Sequence, residues 1–240
     1  MWQKCIEVRK QSEIPSALTE YSEWKAENKL EGKKEFVFVG VSSMLQETAH
    51  AWLQPLKEAL PQADFLVMSM MSTDVLEVME SGEWKEIPSM LLLNFRLVDQ
   101  IDIHVRWYPL SGDLEECMRQ AEAIPQDFKQ FPYCKAMGLC CIGLEHTISN
   151  VLEKIKMEDE DCILFGTMAW ADFSKGDGQY PFLECSFFPD EKMERGILVT
   201  YYAGEQLQVH ATYALGWKTI GKALTASVKN RNTEIGDNCL

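Results

Sequence analysis

Residues 37–43 read VFVGVSS and residues 135–143 read KAMGLCCIG, and each stretch opens the same succession of elements. After the first come a helix-like stretch, FLVMSM (65–70), MLLLNF (90–95) and IDIHVRW (101–107). After the second come a helix-like stretch, ILFGTMAW (163–170), LECSFF (183–188), ILVTYYAG (197–204) and LQVHATY (207–213). IDIHVRW and LQVHATY align position by position. Ile101, Ile103, Val105 and Trp107 match Leu207, Val209, Ala211 and Tyr213 on an apolar side, and His104 matches His210 on a polar side. The pattern predicts an α/β (α+β) fold of two similar β-α-β-β-β halves, with mixed, largely antiparallel sheets covered by helices. Within it, LECSFF, ILVTYYAG and LQVHATY are expected to be consecutive antiparallel strands, and each strand-helix-strand start a parallel pair.

Helical spacing fills the gaps. Ile14, Leu18, Tyr21 and Trp24 predict a helix within 11–34, and Ala49, Trp52, Leu53 and Leu56 predict one over 47–60, kinked at Pro55. Asp113 caps a helix over 113–124, and Ile148, Val151, Leu152 and Ile155 form the apolar side of one begun near His146 or Thr147. The chain thus divides into an N-terminal helical extension (1–34), a first half (35–124), a second half (133–227) and a polar tail or linker (228–240). The boundary between the halves is expected at residues 125–132.

Charge narrows the partners. With 23 basic and 37 acidic residues the formal charge is -14, which repels phosphate backbones and anionic membrane surfaces, so no nucleic acid and no membrane is expected. The eight cysteines follow no CxxC or disulfide-scaffold spacing, and several sit inside apolar runs as small hydrophobes, which suits a reducing compartment. No signal-like start and no apolar run of about 18 residues is present, so the chain reads as cytoplasmic and soluble.

Catalytic motifs are missing. No GxSxG, GxGxxG or P-loop sequence follows a strand, and the four histidines have no metal-ligand spacing, so no catalytic residue, metal or cofactor is assigned. Whether the chain is an enzyme stays open. A cysteine-dependent hydrolase or transferase is one alternative, with Cys140 and Cys141 near His146, although LCCIG reads as a buried strand.

Candidate ligand contacts lie at strand ends. Ser72 and Thr73 follow FLVMSMM, and Asp172 holds the corresponding place in the second copy. Hydroxyls there would orient a ligand and Asp172 would hold an amine, while Arg106 would take an anionic group and His210, Tyr213 and Trp217 would complete the wall.

GWKTIG (216–221) resembles the closing Gly-Trp-x-Pro-Ile-Gly segment of the FIST sensory domains of bacterial signal-transduction proteins. Ser72 and Thr73 stand where that family has Gly-Cys-Ser-Thr, and Gly166, Ala169 and Asp172 fall in its Gly-Gly-x-Ala-x-Asp region. Met70 and Met71 replace the first Gly-Cys, and Thr167 and Thr219 replace the second Gly and the Pro. The resemblance spans about residues 35–227. It implies a sensory module that binds small ligands such as amino acids or related metabolites and couples to an output domain in a longer chain. A structural or protein-interaction module is the other alternative. Seven tryptophans are many to bury in one chain, so a homodimer is also expected.

Overall fold

A computed structural model describes residues 1–42, 44–70, 77–78, 84–85, 90–99, 101–144, 147–155, 162–170, 181–210, 226–229 and 232–235. They form two compact units, Met1–Val209 and His210–Leu240. In the smaller unit β12 (Ala226–Lys229) and β13 (Asn232–Ile235), which reach into the stretch read as a polar tail or linker, pair antiparallel.

The larger unit holds two mixed sheets. Its strands are β1 (Trp2–Val8), β2 (Lys34–Ser42), β3 (Asp64–Ser69), β4 (Glu77–Val78), β5 (Trp84–Lys85), β6 (Met90–Val98), β7 (Asp102–Pro109), β8 (Cys134–Ile142), β9 (Ile163–Met168), β10 (Leu183–Cys185) and β11 (Gly196–Ala203). Its helices are α1 (Ile14–Glu27), α2 (Gln46–Ala59), α3 (Leu114–Ala121), α4 (Ala123–Phe128) and α5 (Ile148–Ile155). The first sheet runs β1-β6-β2-β3-β10 and the second β7-β11-β8-β9, while β4 and β5 pair only with each other.

The two sheets are built alike. In the first, β2 lies parallel to β3 and antiparallel to β6, and β1 closes on β6. In the second, β8 lies parallel to β9 and antiparallel to β11, and β7 closes on β11. The repeated unit is therefore β-α-β-α-β-β. One copy starts at β1, the other at β7.

This frame corrects three expectations. IDIHVRW is the first strand of the second copy, and by register His104 (opposite Tyr201) corresponds to Lys4 (opposite Phe95), not to His210. Residues 207–210 form no strand. LECSFF supplies only β10, which leaves its own half to pair antiparallel with β3, so it and β11 are not neighbours. The apparent match of His104 and His210 came from alternation alone, which any half-buried strand or extended segment shows. Residues 1–34, read as a helical extension, contain the edge strand β1, whose buried Ile6 and Val8 already alternated in the sequence.

The halves stack in four layers. Val37, Val39, Phe65, Val67 and the odd-numbered Leu91, Leu93, Phe95 and Leu97 meet Tyr21, Ala49, Leu53 and Leu56 of α1 and α2. Met137, Leu139, Ile197, Val199 and Tyr201 meet Cys117, Ile124, Val151 and Ile155 of α3, α4 and α5. The opposite faces of the sheets pack on one another, Phe36, Leu66 and Met68 against Ile142 and Leu198. Strands buried on both sides read as continuous apolar runs, and all of β11 is buried. Pro55 is accommodated inside α2, and Pro125, expected to mark a boundary, falls in the first turn of α4, where its missing N–H leaves no helical bond unmade.

Equivalent aromatic anchors tie helices to sheets. Tyr21 stacks on Phe95 with centroids 4.0 Å apart, and Phe131, just after α4, sits 4.8 Å from Tyr201 at the corresponding strand position. The Tyr201 hydroxyl donates to the Ile124 carbonyl at 3.2 Å and meets the Tyr108 hydroxyl at 2.6 Å, which in turn donates to Asp127 at 2.6 Å. Tyr201→Phe removes the Tyr201–Ile124 link between α4 and the sheet while keeping the ring and the contacts of Asp127 with Tyr108 and Arg106. We predict a loss of about 1–2 kcal/mol in urea unfolding; an unchanged midpoint would show that this hydroxyl adds nothing to the hold of the ring and of Asp127 on α4.

Candidate functional site

A cleft of about 300 Å³ opens between the inner faces of the two sheets. Phe36, Phe38, Leu66 and Arg96 form the side from the first sheet, and Gly138, Cys140, Phe165, Thr167, Thr200 and Tyr202 the side from the second. Strand register explains the opening. Phe38 pairs with Asn94 as Gly138 pairs with Thr200, so glycine stands where the first copy has phenylalanine. A side chain is missing on one side of an otherwise filled layer. A Cβ on Gly138 would lie 3.2 Å from the Phe165 ring, and one on Gly166 would lie 2.1 Å from the Leu139 carbonyl oxygen, so both glycines let β9 lie close to β8.

Arg96 is the charged group of the cleft. Phe36 pairs with Arg96 as Ala136 pairs with Tyr202, so arginine and tyrosine hold equivalent positions, and they meet: Arg96 Nη1 donates to the Tyr202 hydroxyl at 2.9 Å. Its Nε reaches Asn94 Oδ1 at 3.4 Å, and its guanidinium lies 5.7 Å from the Phe38 ring centre. Among the described residues Arg96 has no carboxylate partner, and its Nη2 has no acceptor. A partly buried cation held by a phenol, an amide oxygen and a ring is under-compensated, since each such contact contributes about 1–3 kcal/mol and a carboxylate contributes more. The cleft is therefore poised for an anion. Thr200, 4 % exposed, and Thr167 add hydroxyls to the same walls.

The thiols behave differently. Burial pushes the Cys140 and Cys141 thiols up to about 12 and Cys185 up to about 11; at Cys140 the nearby Arg96 pulls the other way without offsetting it. Burial also raises Cys134. At neutral pH these four stay protonated, which removes the nucleophile that Cys140 or Cys141 would need.

The residues singled out from sequence are distributed as follows. Arg106 is on the outer face of β7, where its Nη1 pairs with Asp127 at 3.1 Å and its guanidinium lies 5.3 Å from the Phe131 ring, away from the inter-sheet layer. His104, on the same face, stacks on Phe131 at 4.2 Å. His210 is exposed and belongs to the smaller unit. Ser72, Thr73, Asp172, Tyr213 and Trp217 lie outside the described residues, as does GWKTIG. The strand ends that lead to Ser72 and Asp172 do converge: Trp170 N donates to the Ser69 carbonyl at 3.1 Å. Sequence reasoning missed Arg96. Its signal was present in MLLLNFRLV, where Asn94 and Arg96 share one side of a strand whose other side is Leu91, Leu93, Phe95 and Leu97.

Among the described residues no group of three His, Cys, Asp or Glu side chains could hold a metal, and no helix is long and apolar enough to cross a membrane. Compared with known proteins, the chain matches no family model and no curated sequence. The likeness to FIST domains rests on the motif residues alone.

Thiol reactivity follows from burial. With alkylating reagent at pH 8, exposed Cys5 is expected to react first. Cys140, with roughly one part in ten thousand as thiolate, is expected to stay unmodified until the protein unfolds, as read by peptide mass spectrometry. Rapid labelling of Cys140 in the folded state would restore the cysteine-nucleophile alternative.

Proposed function

We propose that this chain is a non-enzymatic small-molecule-binding module of the sensory kind, with the inter-sheet cleft as its ligand site and Arg96 as the anchor for an anionic group. The observation that carries this reading is a guanidinium that, among the described residues, has free Nη2 donors and no carboxylate partner, facing a cavity of about 300 Å³ that has apolar walls and a few hydroxyls. Pockets that take small ligands have this make-up, mostly apolar with a few placed polar groups. Linkage to an output domain in a longer chain fits a ligand-binding module, and the FIST-like motifs point the same way.

A second reading, a protein-interaction module, draws on β9. The matching edge of β3 is covered by β10, whereas among the described residues the outer edge of β9 pairs with no strand, and Leu164 and Phe165 beside it are 37 % and 43 % exposed. Uncharged edges of this kind pair with other strands, a second copy of the chain included.

The ligand reading makes a stability prediction that a structural arginine would not meet. Arg96→Met is expected to leave the unliganded melting temperature unchanged or higher, because it removes an unpaired charge from a partly apolar site. It is also expected to abolish stabilisation by anionic ligands in thermal-shift titrations. A drop of several degrees in the unliganded variant would mean that Arg96 serves the fold.

A further inference from the structure

From the chemistry of the cleft walls we infer that its ligand is a monocarboxylate with a flat apolar body and no ammonium group, held by its carboxylate on Arg96 and by its body between Phe38 and Phe165. The inference rests on the proposed ligand site and narrows what that site takes.

Three observations lead there. The first is charge. Among the described residues that line it, the cleft carries one cation, Arg96, and no Asp or Glu. One guanidinium neutralises one carboxylate. An α-amino acid would bring its ammonium into the same space with nothing to pair it and Arg96 close by, so its binding is weakened at least about tenfold relative to the same acid without the amine. A phosphate dianion would leave its second negative charge without a cation beside apolar walls.

The second is donor geometry. Arg96 uses Nε and one Nη1 hydrogen on Asn94 and Tyr202, both neutral acceptors, which leaves its Nη2 side for an incoming oxygen. A planar carboxylate accepts two parallel N–H bonds from a guanidinium, and a hydroxyl such as that of Thr200 can supply a further donor to it.

The third is the shape and surface of the rest of the cavity. Phe36, Phe38, Leu66 and Phe165 present rings and methyls, and Gly138 lets the Phe165 ring lie close over its strand without adding any polar atom. About 300 Å³ lies at the small end for ligand sites, which suits a single-ring or short branched acid and excludes a nucleotide.

The test uses the full chain and four matched probes in calorimetric titration: 3-phenylpropanoate, phenylalanine, 3-phenylpropanamide and inorganic phosphate. The expected order places 3-phenylpropanoate first, with phenylalanine and the amide each at least about tenfold weaker and phosphate without measurable binding at millimolar concentration. Arg96→Met abolishes carboxylate binding and Arg96→Lys weakens it, because lysine keeps the charge but loses the paired donors. Thr200→Val, of nearly the same shape, gives a second, smaller weakening should Arg96 variants prove hard to fold. Phenylalanine or phosphate binding as tightly as 3-phenylpropanoate, with dependence on Arg96, would overturn this inference and leave the ligand site standing. Equal binding of acid and amide, unaffected at Arg96, would overturn it by reducing the site to an apolar cavity. No binding of any of the probes that depends on Arg96 would remove both the inference and the site.

Discussion

Both sheets carry large apolar side chains on both faces, and a face left in water forfeits about 25 cal/mol for every Å² of apolar area. Helices cover the outer faces. The inner faces have only each other, so the two copies are obliged to stack, Phe36, Leu66 and Met68 on Ile142 and Leu198. Stacking like on like brings equivalent positions near one another, and the copies have diverged where they meet. Arg96 and Tyr202 occupy one such pair and bond directly; Phe38 and Gly138 occupy another and leave a gap. The cation and the cavity arise from the same divergence, in the layer that the fold cannot dispense with.

A protein of net charge -14 is an uninviting host for an anion at a distance. At physiological ionic strength that repulsion is screened beyond about 8 Å, whereas Arg96 acts at contact inside a partly dry layer. For the proposed ligand, the local term would decide binding and the long-range term would slow encounter. The same dryness sets the thiols: a group that cannot be solvated as an anion stays neutral, so Cys140 is part of an apolar wall despite its neighbouring guanidinium.

Much of the fold was legible because period and burial coincide. Four of the five described helices, α1, α2, α3 and α5, fell in segments with helical spacing, while α4 occupies the stretch read as a boundary, and the strand-helix-strand starts at residues 37 and 135 led to parallel pairs. The frame of the repeat was not legible, since β1 is an edge strand, largely exposed and soon followed by a helix, so it read as part of an extension. Arg106 drew notice because IDIHVRW alternates cleanly, but alternation does not say whether a polar face meets water, a ligand or a helix; here it meets Asp127 and Phe131. Arg96 was overlooked for the converse reason. In a strand buried on both faces, its neighbours made the whole segment look like core.

The placement of β10 has a bearing on biosynthesis. Leu183 completes the edge of the first sheet opposite Met68, about 115 positions earlier in the chain, and Glu184 is held there by Gln46 at 2.6 Å and by His50 at 2.5 Å. At about 5–20 residues per second, a ribosome leaves the β3 edge bare for roughly 6–20 s after that strand has emerged. During that interval the nascent first copy has its helices and three strands, and four once β6 emerges, but one flank still able to add a strand from any other chain.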